Sequence, residues 1–118
     1  MAEAGLFTGW GDPVRGREQK GLEVFNEALG YWGRQQEAGA IESFETVLLY
    51  PHGGDLAGFI LVRGSREQLA AVRADDEFER LNVRAAQIVE RFGVVEAAVD
   101  EGVGEQVSLY QEAIGELS

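Results

Sequence analysis

The sequence predicts an α+β fold, and three observations carry that prediction. Strand-like and helix-like segments follow one another in the order β-α-β-β-α-β, with one further helix at the C-terminus. The helical segments each carry one apolar stripe. At least three strand segments are apolar on both faces: Val47-Leu48-Leu49-Tyr50, Phe59-Ile60-Leu61-Val62 and Val94-Val95-Glu96-Ala97-Ala98-Val99 do not alternate apolar with polar. Neighbouring side chains along a strand point to opposite sides, so these runs require cover on both faces of the sheet.

Each element has its own signal. Leu6-Phe7-Thr8-Gly9-Trp10 is short and aromatic and ends at the turn signal Gly11-Asp12-Pro13, which reads as a first strand. A helix follows over about 17 to 37. Leu22, Phe25, Leu29 and Trp32 recur at three- and four-residue steps, Val24, Ala28 and Tyr31 widen the stripe, and Gly39 closes it. Ile41 to Tyr50 and Leu56 to Val62 read as a hairpin around Pro51-His52-Gly53-Gly54-Asp55. Ser65 stands three residues before Gln68, a capping box that opens a short helical piece, Leu69 to Arg73. From Asp76 a second long helix, running to Arg91, carries Phe78, Leu81, Ala85 and Ile88 on one face, and Gly93 ends it. Val94 to Val99 is the fourth strand. After Asp100-Glu101-Gly102 the last helix aligns Val107, Tyr110, Ile114 and Leu117.

The order is the ferredoxin-like arrangement, two helices on one face of a four-stranded antiparallel sheet. Two helices cover one apolar face and leave the other. One helix is only ~10–12 Å across and cannot cover four strands. A bare face would exceed the apolar patch that monomers usually expose. A homodimer packed sheet on sheet is therefore expected, since a two-fold axis uses the same patch on both copies.

Composition bounds the function. The 118 residues form one expected domain, 1–118, with a formal net charge of −11 from 10 basic and 21 acidic residues. No basic run is present, which argues against nucleic acid and anionic membrane as partners. With no Cys and one His, disulfides, a Cys nucleophile and a structural zinc site have no support, and no metal is expected. No phosphate loop is present: Arg15-Gly16-Arg17 lacks the required Gly and Lys spacing. No cofactor is expected. Ser43, Ser65 and Ser108 lie in no nucleophile-elbow pattern. The N-terminus has no signal-peptide pattern and no stretch is long enough to span a bilayer, so a cytoplasmic location is expected.

Through its element order, domain size, doubly apolar strands and C-terminal helix, the whole chain resembles the dimeric α+β barrel superfamily. That group includes antibiotic-biosynthesis monooxygenases, polyketide cyclases, muconolactone isomerases and YCII-like proteins. The resemblance is one of architecture and implies a pocket between sheet and helices in each subunit, often for small aromatic or apolar molecules. Two departures matter. The helix from Asp76 to Arg91 has no His, as haem-degrading members would require. The only His, His52, lies in the hairpin loop three residues before Asp55, unlike the His-Asp pair of YCII-like members. Neither activity carries over.

The residues themselves nominate few catalytic groups. His52 is the one side chain of a type that titrates near neutrality, and beside Tyr50 it would sit at a pocket mouth or on an exposed turn. Glu45 interrupts an apolar strand. Buried, it would serve as a general acid or base, and paired with Arg63 it would be structural. Glu96 carries the same ambiguity, and Glu42, nearer its strand's start, is expected in solvent. Trp10, Tyr50 and Phe59 are candidate ligand-binding residues for an aromatic pocket, whereas Trp32 reads as core. The expected function is that of a small homodimeric α+β barrel protein with a pocket for a small apolar or aromatic molecule. Two alternatives stand beside it: a non-catalytic interaction or accessory module, and a cofactor-independent monooxygenase, cyclase or isomerase.

Overall fold

The computed structural model describes residues 2–118. Eight elements follow in order: β1 (Ala4–Trp10), α1 (Glu18–Glu37), β2 (Ser43–Leu48), β3 (Gly58–Gly64), α2 (Arg66–Arg73), α3 (Asp76–Ala86), β4 (Gly93–Ala97) and α4 (Glu101–Leu117). The strands form one antiparallel sheet in the order β2-β3-β1-β4, the ferredoxin-like order.

Register decides which side chains share a face. Leu6 pairs with Val62 and Thr8 with Ile60 across β1–β3, and Phe44 pairs with Val62 across β2–β3. These residues point toward the helices. Leu6, Ile60 and Val62 are buried there with Tyr31 and Trp32 of α1 and Phe78 and Leu81 of α3. Tyr31, Trp32 and Phe78 pack ring against ring, with centroids 4.9–6.0 Å apart, favourable separations for aromatic pairs. Phe7, Phe59, Leu61, Val47 and Val95 occupy the alternate positions and so line the opposite face.

Several boundaries differ from those expected. Of the expected α1 stripe only Leu22 is exposed; Tyr31 and Trp32 are buried, and Val24, Ala28 and Leu29 pack against the core. The helix expected from Asp76 to Arg91 stops at Ala86. Beyond it, Ile88 and Glu90 accept hydrogen bonds from the N–H groups of Val14 and Gly11, and Glu90 N–H donates to Asp12 O. This segment pairs with the turn after β1 as a bridge between Pro13 and Val89, which draws it out of helical geometry. Arg91 follows at φ 55°, a conformation that a helix cannot hold. The short helical piece begins earlier, at Arg66, because the capping box forms: Ser65 Oγ accepts from Gln68 N–H at 3.0 Å, and Gln68 Oε1 accepts from Ser65 N–H at 2.8 Å. The β2–β3 strands are shorter than expected at the hairpin, with Leu49 and Tyr50 in the loop.

The last helix leaves the sheet. Asp100 turns the chain at φ 50° and ψ −124°, a strained backbone for a residue with a side chain. Its carboxylate is held by the Arg63 guanidinium at 3.7 Å and by Ala2 N–H at 3.3 Å. Gly102 then passes close to β1: a Cβ there would stand 3.1 Å from Glu3 O. Gly102 is the one buried residue of α4, and Val103, Val107, Tyr110, Ile114 and Leu117 lie exposed. These fall at steps of three and four, so they form one unpartnered apolar stripe.

Candidate functional site

A pocket lies between the sheet and the helices. Its floor is Thr8 and Trp10 of β1 and Ile60 of β3. One wall is Val24, Phe25, Ala28 and Trp32 of α1, and the other is Phe78, Leu81, Asn82 and Ala85 of α3. Ile88, Val89 and Phe92, from the segment drawn out of helix by its pairing with the β1 turn, close one end. The cavity measures about 80 Å³ and is open to solvent on one side. Val24 and Phe25 of α1 and Asn82 and Ala85 of α3 are half-buried, so the pocket is not sealed between these helices.

Local interactions hold this shape. Trp10 packs edge-on to Phe25 with centroids 5.9 Å apart. Its indole rests against Gly58, where a Cβ would come within 2.9 Å of Trp10 Cζ2 and 2.9 Å of Val47 O. Only glycine leaves that seat free. The helices α1 and α3 are joined by the ion pairs Arg34–Glu77 and Arg84–Glu27. Both pairs are solvent-exposed and contribute at most about 1 kcal/mol each. Deeper, Tyr31 Oη donates to Asp75 Oδ2 at 2.6 Å, which ties α1 to the residue that opens α3. Burial, followed by the bond to Asp75, pushes the Tyr31 phenol well above the ordinary tyrosine range.

Two polar side chains reach the pocket. Thr8 is 7 % exposed, and its Oγ1 is buried with no hydrogen-bond partner. An unsatisfied buried hydroxyl costs about 1–3 kcal/mol. Asn82 is half-buried on the α3 wall, with no hydrogen bond from its carboxamide to another described residue. Among the described residues no Asp, Glu, His, Lys, Arg or Tyr lines the cavity. Its walls can therefore bury apolar surface and hydrogen-bond a ligand, but they supply no general acid or base.

The other residues singled out in the sequence lie elsewhere. Of the candidate catalytic and ligand-binding residues His52, Glu45, Trp10, Tyr50 and Phe59, Trp10 alone lines the pocket. Phe59 points to the opposite sheet face and stacks on Phe7 at 5.1 Å. Tyr50 is 90 % exposed in the hairpin loop. His52, in the same loop, accepts from Gly54 N–H at Nδ1 (3.2 Å), so its Nε2–H donates to Leu56 O at 2.9 Å. Both ring nitrogens are engaged in folding the loop back on itself. Glu45, on the open sheet face, pairs with Arg63 at 2.6 Å, and this bond leads the forces that raise the Arg63 pKa. Glu96 lies at the rim of a wide, mixed-charge groove beside α2 and α4, where Arg66 pairs with Glu3 and Glu105. Among the described residues no three His, Asp or Glu side chains cluster to hold a metal ion. No helix among them is long and apolar enough to cross a membrane.

Thr8 and Asn82 belong to no motif. The one sequence signal for Thr8 is parity: it shares the inward register of Leu6 and Trp10, where an apolar residue would otherwise be expected. Asn82 stands next to Leu81 on α3 and gives no such signal.

No protein-family model matches the chain, and no curated protein matches it. Solved structures do share its fold. It is similar to a dimeric protein of unknown function and ferredoxin-like fold from Bacteroides fragilis NCTC 9343, with a TM-score of 0.58 at 11% identity over 80% of this chain and 95% of that one. It is also similar to SnoaB, a cofactor-independent oxygenase from Streptomyces nogalater, with a TM-score of 0.57 at 12% identity over 84% of this chain and 95% of that one. A point variant of that oxygenase aligns at 0.57 and 14% identity, over 84% of this chain and 97% of the other. The class is therefore defined at the level of fold: a ferredoxin-like α+β domain. At these identities the likeness carries the fold alone.

Proposed function

We propose that the protein is a homodimer whose subunits each bind a small apolar or aromatic molecule in the pocket between the sheet and helices α1 and α3. The observation that carries the reading is the pocket itself. Aromatic and aliphatic walls surround retained space and an open mouth, in a core where close packing would otherwise leave none. Because no wall residue titrates near neutrality, the role favoured is binding and orientation of a ligand rather than proton transfer by the protein. The cofactor-independent oxygenase among the structural neighbours shares too little sequence to lend its reaction.

The dimer rests on two unpartnered apolar surfaces of one subunit. Phe7, Phe59, Leu61, Val47 and Val95 share the sheet face away from α1 and α3, and the α4 stripe is left exposed by the described residues. A second copy covers both at once, since a two-fold axis sets each open sheet and helix against its equivalent. The dimeric neighbour of the same fold supports this choice of occupant.

The pocket is tested by titrating toluene into 15N-labelled protein. Shifts are expected at the Trp10 and Trp32 indole N–H and the Asn82 carboxamide. Shifts confined to the open sheet face, or none, would overturn the reading. Light scattering at micromolar concentration tests the assembly: a dimer is expected, and a monomer contradicts it.

A further inference from the structure

We infer that the ligand is a neutral molecule with an apolar body and one hydrogen-bonding group, which Thr8 Oγ1 engages at the pocket floor. The inference rests on the pocket being a binding site and adds the chemistry of what enters it. Thr8 is more than nine-tenths buried, lines the cavity and has no hydrogen-bond partner for its hydroxyl. Buried hydroxyls nearly always find partners. A water molecule would need two to four polar contacts to be held there. Among the described residues, Thr8 and Asn82 are the only polar side chains lining the pocket besides the tryptophan indoles. The strand backbone at Thr8 is committed to its ladder with Ile60 and Val94. A hydroxyl or carbonyl on an apolar ligand satisfies Thr8 while its body fills the aromatic walls.

Neutrality follows from the same walls. Among the described residues no charged side chain lines the pocket, so an ionised ligand would give up its hydration for nothing in return. The threonine hydroxyl both donates and accepts, so a phenol, an alcohol or a ketone meets the requirement and a carboxylate does not. Asn82, half-buried on the α3 wall, is placed to meet a second polar group on a larger ligand.

The test uses three probes of similar size, toluene, p-cresol and p-toluate, titrated calorimetrically at neutral pH into the full-length protein and its Thr8→Val and Thr8→Ser variants. Valine matches threonine in shape but has no hydroxyl. Thr8→Val is expected to weaken p-cresol about tenfold and to leave toluene unchanged, which also reports that the pocket is intact. Thr8→Ser should retain p-cresol binding. The parent protein is expected to bind p-toluate at least about 100-fold more weakly than p-cresol. Equal loss of toluene and p-cresol in Thr8→Val, or no loss of either, overturns the role of Thr8. Binding of p-toluate as tight as p-cresol overturns the requirement for neutrality. Failure of all three probes to bind the parent protein removes the pocket reading itself, and the inference with it.

Discussion

Removing the Tyr31 hydroxyl with Tyr31→Phe perturbs the frame of the pocket while leaving its aromatic packing in place. The ring is 1 % exposed and packs against Trp32 and Phe78, and phenylalanine preserves those contacts. What is lost is the 2.6 Å bond to Asp75. A hydrogen bond to a charged group contributes about 1.5–3 kcal/mol. Asp75 is only half-buried, so water can take over its carboxylate and the loss should fall near the lower end, about 2 kcal/mol. Urea unfolding at pH 7 and fixed protein concentration measures it. The pH dependence supplies a second check. The folded protein holds the Tyr31 proton more tightly than the unfolded chain, whose phenol titrates near pH 10. The contribution is therefore complete below about pH 10 and declines as pH rises beyond it, because the unfolded chain releases its proton first. One unit above, the parent's advantage over Tyr31→Phe should shrink by about 1.4 kcal/mol. A loss below about 0.5 kcal/mol at pH 7, or a gap that stays constant through pH 11, would refute the reasoning.

Three further predictions follow from particular contacts. Gly58→Ala places a Cβ within 2.9 Å of Val47 O and Trp10 Cζ2; a loss of about 1–3 kcal/mol is expected, with a changed Trp fluorescence spectrum as the indole is displaced. Val107→Asp puts a charge in the α4 stripe and should convert the dimer to monomer by light scattering, with the far-ultraviolet dichroism of the domain retained. His52→Ala removes the two hydrogen bonds that fold the hairpin loop; a stability loss of about 1 kcal/mol and unchanged toluene affinity are expected, both read from one thermal and one calorimetric titration.

Much of the fold could be read from residue patterns because it depends on local periodicity. The doubly apolar strands, the helical stripes and the Ser65–Gln68 box each sit within a few residues of sequence. What could not be read depends on pairing between distant segments. The helical period continues through Ile88, yet the backbone of residues 88–90 is taken by the turn after β1, and no local pattern announces that competition. At the start of α1, Leu22 fits the spacing of the stripe yet is exposed. The pocket was harder still. His52 stands out as the one histidine and Glu45 as a carboxylate within an apolar strand, whereas the cavity lining is uncharged and its buried hydroxyl belongs to a common residue, Thr8. Trp10 was legible because a large aromatic beside glycines at a strand end stands out. Thr8 becomes noticeable only when the register places it between Leu6 and Trp10 on the buried face.

A crystal structure of the protein soaked with p-cresol reads the assembly and the pocket together. A two-fold dimer is expected, with the open sheet faces and α4 helices buried between subunits. The aromatic ring of the probe is expected between the sheet and α1/α3, its hydroxyl within hydrogen-bond distance of Thr8 Oγ1. An empty pocket with the probe bound elsewhere, or a cavity filled by a rearranged core, would contradict that placement.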